Sequence, residues 1–569
     1  MNDLNDGSGA LPFEAPSPGA WMLDGTHFTR PATRFVAELF PEPFRQGFGE
    51  SLKRYGSLLE YLDWAFVNGC PYFCPRPIGA PSGAAGPPPR ATWNTLVETN
   101  AEIRARFAAS AKAFECKLWR EDLKRWDGEL KPQVIASQKE IQAVDPDRFP
   151  TAALLAHLDR AREHARKQLY LHHLLNMPAM LPVGDFLAHA QEWTGCPAHE
   201  LLALLRGASP VSLGAQRELL AATEAISADA SSRALLFSAA QPADVLAALR
   251  ERPGSVGETV CAYVGLVGYR LVNGEDIGEP YALELPEVLV KTLRCAANRA
   301  AADQERDETA GRIAAIRDLV PFAQRADFDA LLSEARMMHR LRDERGIFCD
   351  LWAYGILRRA ILAAGRRLAD RGRITDPIHL VEADYQEMRA LIRDGDGPAA
   401  DELAGRAMRR ARTNYADVPA HLGSAPGQPL PADWLPPAAT RMERAMGTYI
   451  QALFFAPQAR SEAHKVRGLP VSSGIYEGSA RVLFGTQEFA RLRQGDVLVT
   501  GSTTAAFNVV LPLLGAIVTD RGGLLSHAAI VAREYGIPAV VGCTDATRRI
   551  PDGVRLRVDG IVGEVTLLS

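Results

Sequence analysis

One histidine stands in a setting that suits phosphoryl chemistry. His527 follows Gly522, Gly523 and Ser526, and a short apolar run ends just before them. Glycines let a backbone pass close to a ligand, and Ser526 is a favourable N-cap that would place His527 in the first turn of a helix. Backbone N–H groups and the positive end of the helix dipole would then surround a phosphoryl group on the imidazole. A plain solvent-facing histidine is the alternative interpretation of these few residues.

A second set of polar residues shares one face of a predicted helix. In ARMMHRLRDERG, spacings of three and four residues join Arg336, His339, Arg340 and Asp343. Arg336 and Arg340 could clamp a phosphoryl group while His339 or Asp343 takes a proton from an attacking hydroxyl. A solvated, salt-bridged helix face is the alternative interpretation.

Other residues are candidates for binding an acceptor. Arg30 and Arg270 could hold substrate, and His27, close to Arg30, is a further candidate base. His172 and His173 are interpreted as one packed and one exposed histidine rather than as metal ligands. An aromatic cluster could line a phenol pocket, although a place in the core is the simpler account. Its members are Tyr61, Trp64, Phe66, Tyr72 and Phe73.

The amino-terminal part of the chain has a sequence pattern typical of helices. Residues 33–66 and 94–412 carry apolar side chains at three- and four-residue spacing, with breaks at Pro178 and Pro182. A Pro/Gly-rich stretch over 71–92 predicts a long loop. The sequence therefore predicts a large, mainly α-helical domain that would bind the phosphoryl acceptor.

The last hundred residues have a different sequence pattern, which is typical of short strands. Beyond Gly468, short β-like runs alternate with Gly and Asp turns, and helices are predicted near 526–535 and 487–493. The runs are ARVLF, DVLVT, AIVTD, AVVG, VRLRVDG and EVTLL. The predicted organisation is a flexible tail (1–19), a helical domain (20–421), a Pro-rich linker with a helix and a hinge near 456–467 (422–467), and a small α/β domain (468–569).

Composition and charge exclude several classes of protein. The chain has 569 residues, 47% of them hydrophobic, and 64 Lys and Arg against 68 Asp and Glu. This balance argues against a general nucleic-acid binder. No secretory signal and no apolar run of about 18 residues occur, so we expect no membrane association. The eight cysteines form no C-x-x-C pair, which favours reduced thiols in the cytoplasm.

The stretch from Gly522 to Gly542, GGLLSHAAIVAREYGIPAVVG, carries a family resemblance. It resembles the swivelling (β/β/α) phosphohistidine domain of the phosphoenolpyruvate-utilising enzymes, although Leu525 replaces a threonine of the family pattern. The resemblance implies that His527 is phosphorylated and shuttles the group between two active sites. It also makes Gly522, Gly523, Ser526, Thr503 and Arg521 candidate phosphate-binding residues.

The resemblance also implies a partner. Dikinases and synthases of this family carry an ATP-grasp domain and a (β/α)8 barrel. The sequence shows the pattern typical of neither domain, and it contains no G-x-x-x-x-G-K-[ST] loop. We therefore expect a separate ATP-grasp subunit, with ATP bound on it, to phosphorylate His527. Mg²⁺ or Mn²⁺ is implied by the family.

The helical region is similar, less specifically, to the acceptor domain of rifampicin phosphotransferase and to the histidine-bearing subunit of phenylphosphate synthase. The similarity implies phosphoryl transfer to a phenolic or related aromatic hydroxyl, giving an aryl phosphate. Two alternatives remain open. They are an antibiotic or natural-product phosphotransferase without its own ATP domain, and a non-catalytic phosphocarrier module. The residues that carry the similarity include Trp21, His27, Arg30, Gly268-Tyr269-Arg270, Glu284-Leu285-Pro286, Glu334-Ala335-Arg336 and His339-Arg340.

Overall fold

The structure is a computed structural model. It describes residues 12–568 apart from 26, 29, 82, 84–85, 209–214, 273–275, 300–308, 414, 455–463, 504–506 and 508–509. Much of the predicted hinge near 456–467 and of the predicted tail over 1–19 lies outside the described residues.

The amino-terminal part is mostly helical, as the apolar spacing predicts. Its first helices are α1 Arg34–Leu39, α2 Pro41–Tyr55, α3 Arg90–Thr99, α4 Ala101–Glu115, α5 Leu118–Arg125, α6 Lys131–Gln142, α7 Thr151–Leu174, α8 Asn176–Thr194, α9 Ala198–Ala203 and α10 Gln216–Ala228. The following helices are α11 Ala230–Leu236, α12 Pro242–Arg250, α13 Ser255–Val267, α14 Pro286–Arg299, α15 Thr309–Leu319, α16 Arg325–Phe348, α17 Asp350–Asp370, α18 Tyr385–Asp394, α19 Ala400–Arg412 and α20 Pro437–Phe454. We call this part, with its small sheet, the helical body.

The small sheet is the main departure from the predicted helices. Its strands are β1 Ala20–Leu23, β2 Leu59–Val67, β3 Cys70–Pro77 and β4 His421–Gly423, in the order β2-β3-β1-β4. The prediction of helix up to residue 66 and of a loop from 71 is therefore wrong around β2 and β3. Asn68 and Gly69 both have positive φ and form a two-residue hairpin turn, for which Asn-Gly is the favoured sequence.

Prolines do not end the helices where the sequence suggests. Pro182 lies inside α8, and the break between α7 and α8 falls at Leu175. A second break at Cys349 separates α16 from α17. The carbonyl groups of Phe348 and Cys349, at this break, accept hydrogen bonds from the Gln138 side chain at 2.9 and 2.8 Å. The break places Asp350 at the first turn of α17.

The carboxy-terminal part is an α/β domain with one eight-stranded sheet. Its strands are β5 Lys465–Arg467, β6 Leu469–Ser472, β7 Ile475–Leu483, β8 Asp496–Thr500, β9 Leu514–Thr519, β10 Ala539–Val541, β11 Arg555–Asp559 and β12 Glu564–Leu567, with helices α21 His527–Tyr535 and α22 Ala546–Arg549. The order is β5-β12-β11-β7-β8-β9-β10-β6, and β7, β8, β9 and β10 are parallel. The predicted strands and the helix after Ser526 are confirmed.

The α/β domain packs against the helical body. One apolar cluster combines Tyr449 and Leu453 of α20 with Leu525 and Ala528 next to His527. Within the body, α20 crosses α8 so closely that Gly184 lies against the Ala445 carbonyl group. The helix that the sequence assigns to the linker segment is therefore packed into the body and carries contacts to the α/β domain.

No helix in the described part of the chain is long and apolar enough to span a bilayer.

Candidate functional site

His527 lies at the edge where two parallel strands end. β8 and β9 are neighbours that run in the same direction, so the loops after them meet, as at the ligand sites of other open α/β sheets. The loop after β9 leads into α21, whose N-cap is Ser526 and whose first residue is His527. The loop after β8 brings Thr503, whose hydroxyl lies 3.1 Å from His527 Nδ1. The structure thus brings two predicted phosphate-site residues together at the histidine.

Two buried hydroxyl groups lie on the same two loops. The Oγ atoms of Ser526 and Ser502 make no hydrogen bond within the part of the chain that the structure describes. Ser526 occupies the N-cap position, as predicted, but its hydroxyl makes no capping bond. A buried hydroxyl without a partner is unfavourable, and phosphoryl oxygens are acceptors that would satisfy it. The arrangement therefore fits a bound phosphoryl group.

The glycines before His527 fit against the end of α20. Gly523 N–H donates to the Leu453 carbonyl at 3.1 Å, and Leu525 N–H donates to the Ala452 carbonyl at 3.2 Å. A Cβ on Gly523 would come within 2.5 Å of the Leu453 oxygen. Gly522 has a φ of 113°, which a residue with a side chain rarely adopts. Gly523 therefore permits docking on the helical body rather than contact with phosphate.

A buried arginine supports the loop from behind. Arg533, on α21, donates to the carbonyl groups of Leu524 at 2.8 Å and Val471 at 3.3 Å. Burial, together with the charge of Arg342, lowers the pKa of Arg533 to about 10, a value that still leaves it protonated at neutral pH. Arg533 thus holds the shape of the loop that presents His527.

Arg342 of the helical body is close enough to His527 for its charge to act on the imidazole. Burial and then the Arg342 charge lower the pKa of His527 to about 3, so its imidazole is neutral at physiological pH. Arg342, on α16, also donates to the Tyr449 hydroxyl on α20 at 2.8 Å. A neutral imidazole is the nucleophilic form, and a nearby guanidinium suits a phosphoryl group attached to it.

The two arginines that the sequence assigns to the phosphoryl clamp are engaged elsewhere. Arg336 donates to the backbone carbonyls of Leu204 and Arg206. Arg340 pairs with Asp127 and, at 2.8 Å, with Glu344. Arg336 and Arg340 are thus engaged within the helical body, whereas the charge of Arg342, on the same helix, acts on His527.

The predicted base residues on α16 are buried beside Arg533. Burial, followed by the charges of Arg533, Arg342 and Arg336, lowers the pKa of His339 to about 3. Asp343 is an acidic neighbour of Arg533. Both side chains therefore stand near the arginine that supports the His527 loop.

Arg521 anchors the α/β domain to the small sheet. Its guanidinium lies 4.7 Å from the centre of the Tyr415 ring. A Cβ on Gly25 would approach the Arg521 Cζ within 3.1 Å, so Gly25 leaves room for this side chain. The prediction that Arg521 binds phosphate is not supported by this placement.

Arg30 and Arg270 are separate from His527. Arg30 pairs with Glu279 inside a buried charged cluster that also contains Asp276, Glu382 and Arg410. Arg270 packs over the rings of Phe348 and Trp352 at 5.2 and 5.4 Å. The structure therefore places both arginines in the framework of the helical body.

The predicted aromatic cluster is divided by the alternation of side chains along strands. Trp64 on β2 pairs with Phe73 on β3, and their rings lie 5.8 Å apart on one face of the sheet. Tyr72 faces the other side, where its hydroxyl donates to the Pro419 carbonyl at 2.7 Å. Trp64 thus belongs to the core of the helical body, and Tyr72 belongs to the core of the small sheet.

Aromatic rings connect Trp64 to the loop that carries His27. Phe73 lies 5.9 Å from Phe454 at the end of α20, and Phe454 lies 5.6 Å from the His27 ring. His27 Nδ1 lies 2.6 Å from the Asp24 carboxylate. On the other side, Trp64 packs against Phe44, which touches the ring of His173. These contacts span 5.2 and 4.1 Å between ring centres. We call Trp64, Phe44, Phe73, Phe454 and His27 the aromatic rim.

Both members of the His172–His173 pair are buried, so the expectation of one exposed ring is wrong. Their rings stack at 4.4 Å, and His172 Nδ1 lies 2.7 Å from Asp350. The adjacent histidines were visible in the sequence, but no local signal pairs His172 with a carboxylate 178 positions away.

Arg342 was not among the residues predicted from the sequence. The three- and four-residue spacing on α16 selected Arg336, His339, Arg340 and Asp343 instead.

In the described ranges, no group of three or more His, Cys, Asp or Glu side chains is arranged to hold a metal ion.

Known proteins are similar to the chain in two ways. Residues 492–563 match the family described as "PEP-utilising enzyme, mobile domain". A phosphoenolpyruvate synthase of Aeropyrum pernix is 48% identical over 101 residues, which are 18% of this chain and 12% of the relative.

Longer matches reach beyond that domain. A rifampicin phosphotransferase of Streptomyces sviceus is 28% identical over 358 residues, covering 57% of this chain and 36% of the relative. An uncharacterised phosphotransferase of Bacillus subtilis is 32% identical over 248 residues, covering 43% of this chain and 28% of the relative. The chain thus spans about a third or less of the length of these relatives. The α/β domain of the chain is therefore similar to the mobile domain of PEP-utilising enzymes.

Proposed function

We propose that the chain is a phosphotransferase that carries a phosphoryl group on His527 and passes it to a hydroxyl group of an aromatic acceptor bound by the helical body. The observation that carries this proposal is the position of His527, which faces Arg342 of α16 while its Nδ1 is held by Thr503. A carrier histidine and a cation on opposite sides of a domain interface are the parts that phosphoryl transfer requires.

The transfer step follows from these contacts. Because Thr503 occupies Nδ1, we place the phosphoryl group on Nε2 of His527. The acceptor oxygen attacks phosphorus, an O–P bond forms, and the P–N bond breaks with its electron pair returning to the imidazole. Arg342 neutralises charge on the phosphoryl oxygens as they move. The unpartnered Ser526 hydroxyl supplies a further donor.

The aromatic rim supports an aromatic acceptor. Trp64 is buried, and its indole N–H makes no hydrogen bond in the described part of the structure. A flat ring beside Trp64 and Phe73 would bury apolar area, and an oxygen substituent would satisfy the indole N–H. A phenol combines these two features, so an aryl phosphate is the product that we propose.

Phosphorylation of His527 requires a donor. We propose that a separate ATP-binding, ATP-grasp-type protein supplies the group, with any divalent ion bound there together with ATP. A hinged movement of the α/β domain, which has its own sheet, would carry His527 between the two proteins.

The direct test uses the full chain with candidate ATP-grasp proteins and β-labelled [³²P]ATP. We expect acid-labile, alkali-stable label on the chain, its transfer to phenol, and no label on His527→Ala. Label that persists in His527→Ala overturns the carrier assignment. Label that forms but leaves for no small-molecule hydroxyl supports the phosphocarrier alternative.

A natural-product acceptor is the second candidate function. The match to a rifampicin phosphotransferase extends over 57% of the chain, well beyond the α/β domain. Transfer of label to rifampicin rather than to simple phenols would decide in favour of this candidate.

A further inference from the structure

The search for the base of the transfer step leads to a buried pair in the helical body. His172 is the third-last residue of α7, and Asp350 is the first residue of α17. The break at Cys349 turns the chain so that the Asp350 carboxylate lies 2.7 Å from His172 Nδ1. Both side chains are buried, with exposures of 8% and 1%. A histidine held by a carboxylate through Nδ1 directs the lone pair of Nε2 to other partners.

The pair adjoins the helix face that carries Arg342. A Cβ on Gly346 would lie 3.6 Å from Cε1 of the His172 ring, so this part of α16 packs against the ring edge. Arg342 stands one turn earlier on the same face of α16. Its guanidinium contacts Tyr449 of α20, and the end of α20 binds the loop of His527. The same helix therefore packs against the His172 ring and carries Arg342, whose charge acts on both His172 and His527.

The aromatic rim ends at the same pair. His172 stacks on His173, and His173 touches the Phe44 ring. The Asn176 side chain lies 3.3 Å from His173 Nδ1, while His173 Nε2 is buried with no hydrogen bond among the described residues. An acceptor ring held by the rim would thus have its hydroxyl close to a stacked histidine pair.

We propose that His172, positioned by Asp350, is the general base that takes the proton from the acceptor hydroxyl. The proposal rests on the proposed function. In the step, the acceptor O–H proton moves to His172 Nε2 while the O–P bond forms. The P–N bond of phospho-His527 breaks, and its electron pair stays on the imidazole nitrogen. Asp350 keeps the Nδ1 proton of His172 in place and stabilises the imidazolium that results.

The electrostatic surroundings are compatible with this role. Burial lowers the pKa of His172 well below its usual value, and the charges of Arg345, His27 and Arg342 lower it further. Burial raises the pKa of Asp350 to about 7, against the effects of nearby backbone N–H groups, Arg345 and His27. Above that pH the pair consists of a neutral imidazole and a carboxylate, the form that can accept a proton.

The test separates proton transfer from binding by the choice of acceptor. The full chain is phosphorylated on His527 with phosphoramidate, and single-turnover transfer is followed by rapid quench in mildly alkaline buffer. Phenol keeps its proton under these conditions, whereas 4-nitrophenol is already ionised and needs no base. For His172→Gln we expect transfer to phenol to fall by about 10²- to 10⁴-fold. Transfer to 4-nitrophenol should fall by less than about tenfold.

A matched control lies on the same helix. His157 is also buried on α7, but its ring packs against Phe149, away from Asp350. His157→Gln should leave both transfers within about twofold. Asp350→Asn, which is nearly isosteric, should reproduce the selective loss for phenol and decides the question if His172→Gln does not fold.

Three results would overturn the proposal. The first is an equal loss for phenol and 4-nitrophenol in both pair variants, and the second is no loss for either acceptor. The third is selective loss in His27→Gln instead, which would make the His27–Asp24 pair the base. A wild-type phosphoenzyme that transfers to neither acceptor contradicts the proposed function itself, and the base assignment falls with it.

Discussion

The two sides of the candidate site are built in different ways. The His527 side comes mostly from one short stretch, in which the loop at Gly522 and Gly523, the N-cap Ser526 and the supporting Arg533 follow one another along the chain. Only Thr503 and Ser502 are added from the neighbouring loop after β8. The proposed acceptor side combines α7, α16, α17, α20 and a hairpin from distant parts of the sequence. A short motif can therefore specify the phosphoryl carrier, whereas the acceptor site depends on how the helical body packs.

The arginines of α16 offer the strongest test of this difference. Arg342→Ala should lower transfer from phospho-His527 by about 10²- to 10³-fold, because it removes the positive charge that faces the phosphoryl group. Arg340→Ala should change transfer by less than about threefold, since Arg340 pairs with Asp127 and Glu344. Rapid-quench kinetics on the preformed phosphoenzyme measures both. A larger loss in Arg340→Ala than in Arg342→Ala would instead assign the phosphoryl clamp to the helix face that contains Arg340, as the sequence spacing predicts.

Docking of the carrier loop can be broken without touching either set of reacting groups. Gly523→Ala should slow transfer by about ten- to a hundredfold, because the added methyl group collides with the carbonyls that end α20. Chemical phosphorylation of His527 should persist, since it does not require the docked position. Gly447→Ala is the control, because nothing lies within 4 Å of a Cβ at this position on α20. Unchanged transfer in Gly523→Ala would show that this docked arrangement is not the reacting one.

Substitutions on the two faces of the small sheet should differ in their effect on the KM for the acceptor. Trp64→Leu should raise the KM for phenol by about tenfold, since it removes a ring and a hydrogen-bond donor from the aromatic rim. Tyr72→Phe should leave the KM within about twofold and lower stability by about 1 kcal/mol, because only the hydrogen bond to Pro419 is lost. Steady-state kinetics and thermal unfolding distinguish the two. Equal KM values for wild type and Trp64→Leu would place the acceptor elsewhere.

The smallest expected effect is on the stability of the helical body at acid pH. Burial raises the pKa of Glu334, but hydrogen bonds from Arg120, Lys117 and Trp119 outweigh it and lower the pKa to about 2. Because the folded-state pKa lies below that of the unfolded chain, this carboxylate stabilises the fold above about pH 4.5, and the contribution is lost as pH falls toward 2. Between about pH 4.5 and 2, the unfolding free energy of Glu334→Gln should therefore decrease less steeply than that of the wild type. Denaturant titrations at several pH values measure it, and an unaltered pH slope contradicts this account.

Sequence reasoning succeeded where local chemistry decides the structure. The strands of the α/β domain and the helix after Ser526 follow from alternating apolar residues, Gly turns and an N-cap, all of which act within a few residues. It failed at β2, where aromatic residues fit helical spacing and strand alternation equally well, and at β3, whose prolines favoured the prediction of a loop. The Asn68-Gly69 turn was the local signal that could have corrected this interpretation.

The sequence by itself pointed to His527 as the candidate carrier histidine, and it determined the strands around it and the helical character of the body. These features depend on residues near one another in the chain, so their types and spacing are sufficient. Only the tertiary structure decided that Arg342 rather than Arg340 faces His527 and that Tyr72 and Trp64 lie on opposite faces of a sheet. It also decided that His172 meets Asp350. Helical spacing limits which residues share a face, but the packing of α7, α16 and α20 selects the face that meets the α/β domain.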